Sequence, residues 1–166
     1  MFKYGTLAGL KHVRNNPRTK ATQELVNGLV VLPDDVSGDA PTPAAEADAQ
    51  GNVYVVHNVV DKPEIRNSAD FKIESGEYVR ADYIVDAQEL PVEIDESVIS
   101  VDYATTVVGD VLVPLADGTG KWGAVYGTQS DGTTANTAAD FKVNLEVIEK
   151  TTLGGNGLYC KVVVNN

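Results

Sequence analysis

The strongest constraint on this chain is its punctuation. Short apolar segments, most of them strand-sized, are separated again and again by turn-forming residues: Asn27-Gly28, Pro33-Asp34-Asp35, Asp61-Lys62-Pro63, Ser75-Gly76, Asp117-Gly118 and Asp131-Gly132. Between them lie Val53 to Val60, Tyr78 to Val85, Val107 to Val113, Phe141 to Ile148 and Leu158 to Val164, rich in β-branched and aromatic side chains. The last two alternate with period two, which places successive side chains on opposite faces of a pleated strand. Such a pattern predicts an all-β sandwich or barrel-like body without long helices. With 43% hydrophobic and 22% charged residues, the chain has the means to bury a core.

Individual segments sharpen that expectation. Asn-Gly readily supplies the positive φ angles of a two-residue turn, so Leu25-Val26 and Leu29 to Leu32 are expected to pair as a hairpin around Asn27-Gly28. A second hairpin is expected around Ser75-Gly76. The stretch SGDAPTPAAEADAQG, residues 37 to 51, reads as a loop with one short helical turn around Ala44 to Ala49. Ala69-Asp70-Phe71-Lys72-Ile73 is echoed by Ala139-Asp140-Phe141-Lys142-Val143, but the flanking sequences diverge, so chance or a recurring entry from loop into strand is expected rather than a duplicated domain.

Charge divides the chain. Of its 13 Lys and Arg residues, Lys3, Lys11, Arg14, Arg18 and Lys20 all precede Glu24, the first of 24 Asp and Glu, and the net charge is −11. Gly5, Gly9 and Asn15-Asn16-Pro17 interrupt any helix in this region. Residues 1 to 23 are therefore expected to form an extended docking arm, and residues 24 to 166 one β-rich body or two small lobes. The arm would present Lys3, Lys11, Arg14 and Arg18 to an acidic partner, with Phe2, Tyr4 and Leu7 as apolar anchors.

The search for chemistry excludes more than it finds. Gly118-Thr119-Gly120-Lys121-Trp122-Gly123 satisfies a dinucleotide-binding pattern, yet it is followed by Ala124-Val125-Tyr126-Gly127 rather than by a helix, and reads as a hairpin turn. His12 and His57 lack the spacing of zinc ligands, and no serine-elbow motif occurs. Glu93, Asp95 and Glu96 read as a solvated strand face. Cys160, the only cysteine, alternates with Val162 and Val164 and reads as a small buried hydrophobe. No metal or cofactor is expected, nor an enzyme. The acidic body argues against nucleic acid as a partner, and no apolar run has the ~20 residues of a membrane span. The first residues lack a secretory leader pattern, so synthesis in a cytoplasm is expected.

The order of KYGTLAGLKHVRNN, VNGLVVL, VVGDVLVPLADGTGKWG and a final FKVNLEVIEKTTLGGNGLYCKVVV strand pair resembles that of the decoration, or cement, proteins of tailed bacteriophages. The resemblance implies a non-enzymatic virion protein on the outer surface of the head, made in the host cytoplasm, that binds the major capsid protein and stabilises its lattice. Members of that family are often dimers or trimers, so a homo-oligomer is compatible with it. The rival expectation is a glycan-binding or other surface-adhesion β-sandwich in which Trp122 or Tyr126 stacks on a sugar.

Overall fold

A computed structural model describes residues 1–5, 13–60, 70–129, 132–153 and 155–166. The expected all-β class is what the chain adopts. Its strands form two sheets, and the only α-helix among the described residues, α1 (Glu46–Gln50), is a single short turn in the loop where one was expected.

The six-stranded sheet is antiparallel throughout, in the order β1 (Phe2–Tyr4), β7 (Pro91–Asp95), β11 (Gly157–Val164), β10 (Val143–Thr151), β8 (Val111–Pro114), β9 (Trp122–Gly123). Its backbone is the β10–β11 pair, where Leu145 faces Val162 and Val147 faces Cys160, all four buried, and Val143 on β10 and Leu158 on β11 are buried as well. Cys160 sits in this wall, and burial pushes its thiol up to about 12, so it is a packing residue. The glycine-rich segment after β8 returns the chain into β9, with Pro114 opposite Trp122, as a hairpin turn should.

The five-stranded sheet runs β3 (Val30–Val31), β5 (Tyr54–Val56), β6 (Tyr78–Tyr83), β2 (Asn15–Ala21), β4 (Asp39–Ala40), with β2 and β4 parallel and the other pairs antiparallel. One continuous apolar cluster draws on both sheets, from Ile94, Leu145 and Leu158 to Val30, Val55 and Ala81. Burying each large aliphatic side chain is worth about 1.5–3 kcal/mol relative to leaving it in water. Trp122 ties the layers together: wholly buried, it donates its indole N–H to the Gly28 carbonyl at 3.0 Å, while the Val30 amide donates to the Gly120 carbonyl at 2.7 Å. A smaller cluster of Ala49, Val113 and Phe141 packs with Val125 and Tyr126 beneath α1.

Three expectations are corrected. The Asn27-Gly28 segment does not fold its flanks onto each other: Leu25 bridges to Ile73, and Val30-Val31 pairs with β5. Only Gly28 of the two has positive φ, at 104°, and the Asn27 side chain is spent on the backbone of Asn58, with two hydrogen bonds of 2.8 Å. Nor is there a hairpin around Ser75-Gly76, because Ile73 goes to Leu25 while β6 lies between β2 and β5. Finally, the described part of residues 1 to 23 is not a free arm. β1 closes the edge of one sheet and β2 sits inside the other.

Candidate functional site

Of the residues expected to dock a partner, Phe2 and Tyr4 are core residues, 5% and 8% exposed. Their rings meet His57 edge to face at 5.7 and 5.5 Å, and each other at 5.1 Å. The Tyr4 hydroxyl donates to Asp82 at 3.2 Å, and the same carboxylate oxygen lies 2.8 Å from His57 Nδ1. Burial, reinforced by the Asp82 charge, raises the Tyr4 phenol far above its ordinary value. These rings cannot anchor a partner without leaving the core. Lys3 faces outward on β1 but forms an ion pair with Glu93, its cross-strand neighbour on β7. Leu7 and Lys11, with His12, lie outside the described residues.

Arg14 and Arg18 come together on an outer groove of the five-stranded sheet, and this is the best-formed candidate site. Pro17 explains its shape. Without an N–H, proline cannot continue the β2–β6 ladder, and the register shifts between Asn16 and Thr19. The Arg18 amide turns back to the Asn16 side-chain oxygen at 2.9 Å, leaving the Arg18 side chain exposed and without an ion pair among the described residues. The Asn16 amide reaches Asp35 at 2.9 Å. Arg14, Asn15, Asn16, Pro17, Arg18, Asp35 and Tyr54 line a groove of about 400 Å³.

Electrostatics here are more balanced than the linear sequence implied. Arg14 forks onto Asp86, Nε to Oδ2 at 2.7 Å and Nη2 to Oδ1 at 2.9 Å, and its backbone amide adds a third bond at 3.0 Å. The Arg14 side chain, first through its hydrogen bonds, holds the Asp86 carboxyl below the ordinary carboxylate range. The Arg14 guanidinium also lies 4.5 Å from the Tyr83 ring centre, and Tyr83 packs on Tyr54 at 5.0 Å. Arg14 is therefore a fixed wall of the groove, and Arg18 is its unpaired cation.

Beside the groove, the turn at Asp34–Asp39 carries a residue that sequence reading passed over. Val36 is 97% exposed. The turn beneath it is pinned: Asp34 accepts from the Val36 amide at 2.9 Å and the Ser37 amide at 3.3 Å, and the Gly38 amide donates to the Asp34 carbonyl at 2.8 Å. Those bonds lower the Asp34 carboxyl as well. A valine isolated among Asp, Ser and Gly has no strand in which to hide, and DDVSGD carried that signal.

Other candidates resolve into structure. Glu93 pairs with Lys3, Asp95 is buried and accepts from the Ser97 amide at 3.0 Å, and Glu96 accepts from Asn156 at 2.8 Å. Trp122 is enclosed and offers no face to a sugar, while Tyr126 is half-buried against Phe141 with its hydroxyl on the Pro114 carbonyl. Among the described residues no group of three or more His, Cys, Asp or Glu is placed to hold a metal ion, and no helix is long and apolar enough to cross a membrane. Comparison with protein families, characterised proteins and solved structures found no match.

Proposed function

We propose that this chain is a non-enzymatic virion structural protein that binds the outer surface of a phage head through the β2 groove and stabilises the major capsid lattice. The reading rests on the resemblance in sequence order, and one structural observation carries the choice of surface. Val36 stands almost wholly in solvent on a turn held by its own hydrogen bonds, next to a groove whose Arg18 has no ion partner among the described residues. An apolar tip on a rigid turn loses little conformational entropy when a partner covers it, which is the economical way to build a contact point. The neighbouring cation sets orientation more than affinity. The interface is thus a face of the sheet rather than a terminal arm.

Co-sedimentation with tailed-phage heads assembled from major capsid protein and lacking a decoration protein tests the proposal. Wild-type protein is expected to travel with the heads and raise their resistance to heat. Val36→Asp, which puts a charge where the valine side chain would be buried, is expected to weaken binding roughly tenfold. Arg18→Glu is expected to weaken it a few-fold, more at low salt than at high. Both variants should melt like the wild type. Failure of the wild-type protein to bind heads overturns the function, and full binding by Val36→Asp moves the interface elsewhere.

A further inference from the structure

The six-stranded sheet has a bare edge where β9 parts from β8. The two strands pair only through Val113 with Gly123 and Pro114 with Trp122. Were the ladder to run on, Val125 would stand opposite Val111. Instead Val125 and Tyr126 turn to the cluster of Ala49, Val113 and Phe141, and the Tyr126 hydroxyl donates to the Pro114 carbonyl at 3.1 Å. Alternation along an antiparallel strand then fixes which way Val111 points. Leu112 faces Leu145 on β10, in step with the Val147 amide on the Asp110 carbonyl at 2.9 Å. Val113 faces Gly123 on β9, in step with the Leu115 amide on the Lys121 carbonyl at 2.9 Å. The N–H and C=O of half-buried Val111 therefore point away from β10, into the space beyond the end of β9, and bond to no described residue.

That space is a cavity of about 240 Å³, whose lining includes Val101, Thr105, Asp110, Val111, Leu112 and Ala124. Its rim is apolar and pinned. Val107 is 58% exposed and Val108 65%, on a turn held by three hydrogen bonds. The Val107 amide donates to Asp110 Oδ2 at 2.8 Å, the Asp110 amide returns to the Val107 carbonyl at 3.2 Å, and the Gly109 amide donates to the Val147 carbonyl at 2.8 Å. Ile148, which follows Val147 on β10, is exposed as well. Native sheets usually cover or charge an edge of this kind, and exposed apolar side chains gathered beside one mark a contact surface.

We propose that this edge is completed by an extended segment of a partner protein, which pairs its backbone with Val111, lays apolar side chains against Val107, Val108 and the cavity floor, and carries a lysine or arginine beside them. Strand addition is the binding mode that answers a free N–H and C=O set at strand spacing. Charge selects the occupant. Asp102, Asp110 and Glu146 stand around the turn and the edge, and none of them forms an ion pair among the described residues. The nearby cations are engaged: Lys150 donates to the Ala104 carbonyl at 3.3 Å and lies 4.6 Å from the Tyr103 ring centre, while Lys161, opposite Glu146, pairs with Glu89 at 2.7 Å. A basic segment complements this surface, and a second copy of a chain with net charge −11 does not.

The test is an amide-resolved NMR titration of the intact protein with an acetylated and amidated lysyl-valyl-threonyl-valyl-lysine peptide. One control is the same peptide N-methylated at its three central residues, which keeps side chains and charge but cannot donate to a strand edge. The other has glutamate in place of both lysines. In the free protein the Val111 amide is expected to exchange with solvent much faster than those of Leu112 and Val113, which face β10 and β9. The basic peptide at millimolar concentration is expected to give saturable shifts at Val107 to Val111 and Ala124, and to slow Val111 exchange about tenfold once about nine-tenths of the protein is bound. Neither control should do so. Val107→Ser combined with Val108→Ser, both at exposed positions, is expected to weaken the response about tenfold, and the same spectra report whether the variant is folded. A Val111 amide already protected in the free protein, equal responses to the three peptides, no saturable response, or an unchanged response from the folded variant overturns the proposal. The titration needs no phage head, so its outcome is independent of head binding.

Discussion

At the scale of single residues, Gly28 does the work that the sequence assigned to a two-residue turn. Its positive φ closes the turn from Val26 to Leu29, where the Leu29 amide reaches the Val26 carbonyl at 3.3 Å, and its own amide donates to Val56 at 2.9 Å. Its carbonyl takes the buried indole N–H of Trp122. A Cβ at this position would stand 3.0 Å from Phe2 Cβ and 3.2 Å from a Val98 methyl. Strain and crowding therefore add. Gly28→Val is expected to destabilise by about 2 kcal/mol or more, read as a lower urea midpoint with an unchanged slope. A midpoint equal to the wild type would show that the turn tolerates a side chain and that the Trp122 bond does not depend on it.

At the scale of elements, local pairings were legible and distant ones were not. The β10–β11 pair and the β8–β9 hairpin join neighbours in the sequence, so alternation and a glycine turn suffice to reveal them, and the alanine-rich loop showed its helical turn for the same reason. Leu25 with Ile73, or β2 between β6 and β4, leaves no local trace, because a strand's partner is chosen by which faces bury together. The same limit hid the groove. Arg14 was visible as a charge, but Asp86 lies 72 residues away and only folding brings them together. Since Asp86 titrates below its unfolded value, the pair contributes stability above the ordinary carboxylate pKa of about 3.9, and loses it as pH falls through the lower folded value. Asp86→Asn should accordingly melt below the wild type at neutral pH, with the gap closing in acid. The gap should be modest, because the Arg14 side chain lies largely in solvent. A gap that persists unchanged in acid would assign it to something other than this ion pair.

At the scale of the whole molecule, a basic start on an acidic chain does not become a basic arm on an acidic body. Lys3 is answered by Glu93 and Arg14 by Asp86, so half of the described Lys and Arg side chains of this region are folded into ion pairs, and Arg18 and Lys20 have none among the described residues, Lys20 lying instead against the Tyr78 ring. The strands that carry these charges belong to the framework. Deleting residues 1 to 21 would remove β1 and β2, take the Tyr4 hydroxyl from the buried Asp82, uncover His57, and separate β4 from the sheet. The loss of two buried aromatic rings alone costs about 3–5 kcal/mol each by comparison with aromatic-to-alanine substitutions. Set against a net stability on the order of 5–15 kcal/mol for an ordinary domain, that loss together with the missing strand pairings is decisive. The truncated chain is expected to lose cooperative thermal unfolding and much of its strand signal in circular dichroism. A truncated protein that still melts cooperatively near the wild-type temperature would show that β1 and β2 decorate the fold, and would restore the first twenty residues as a separable docking arm.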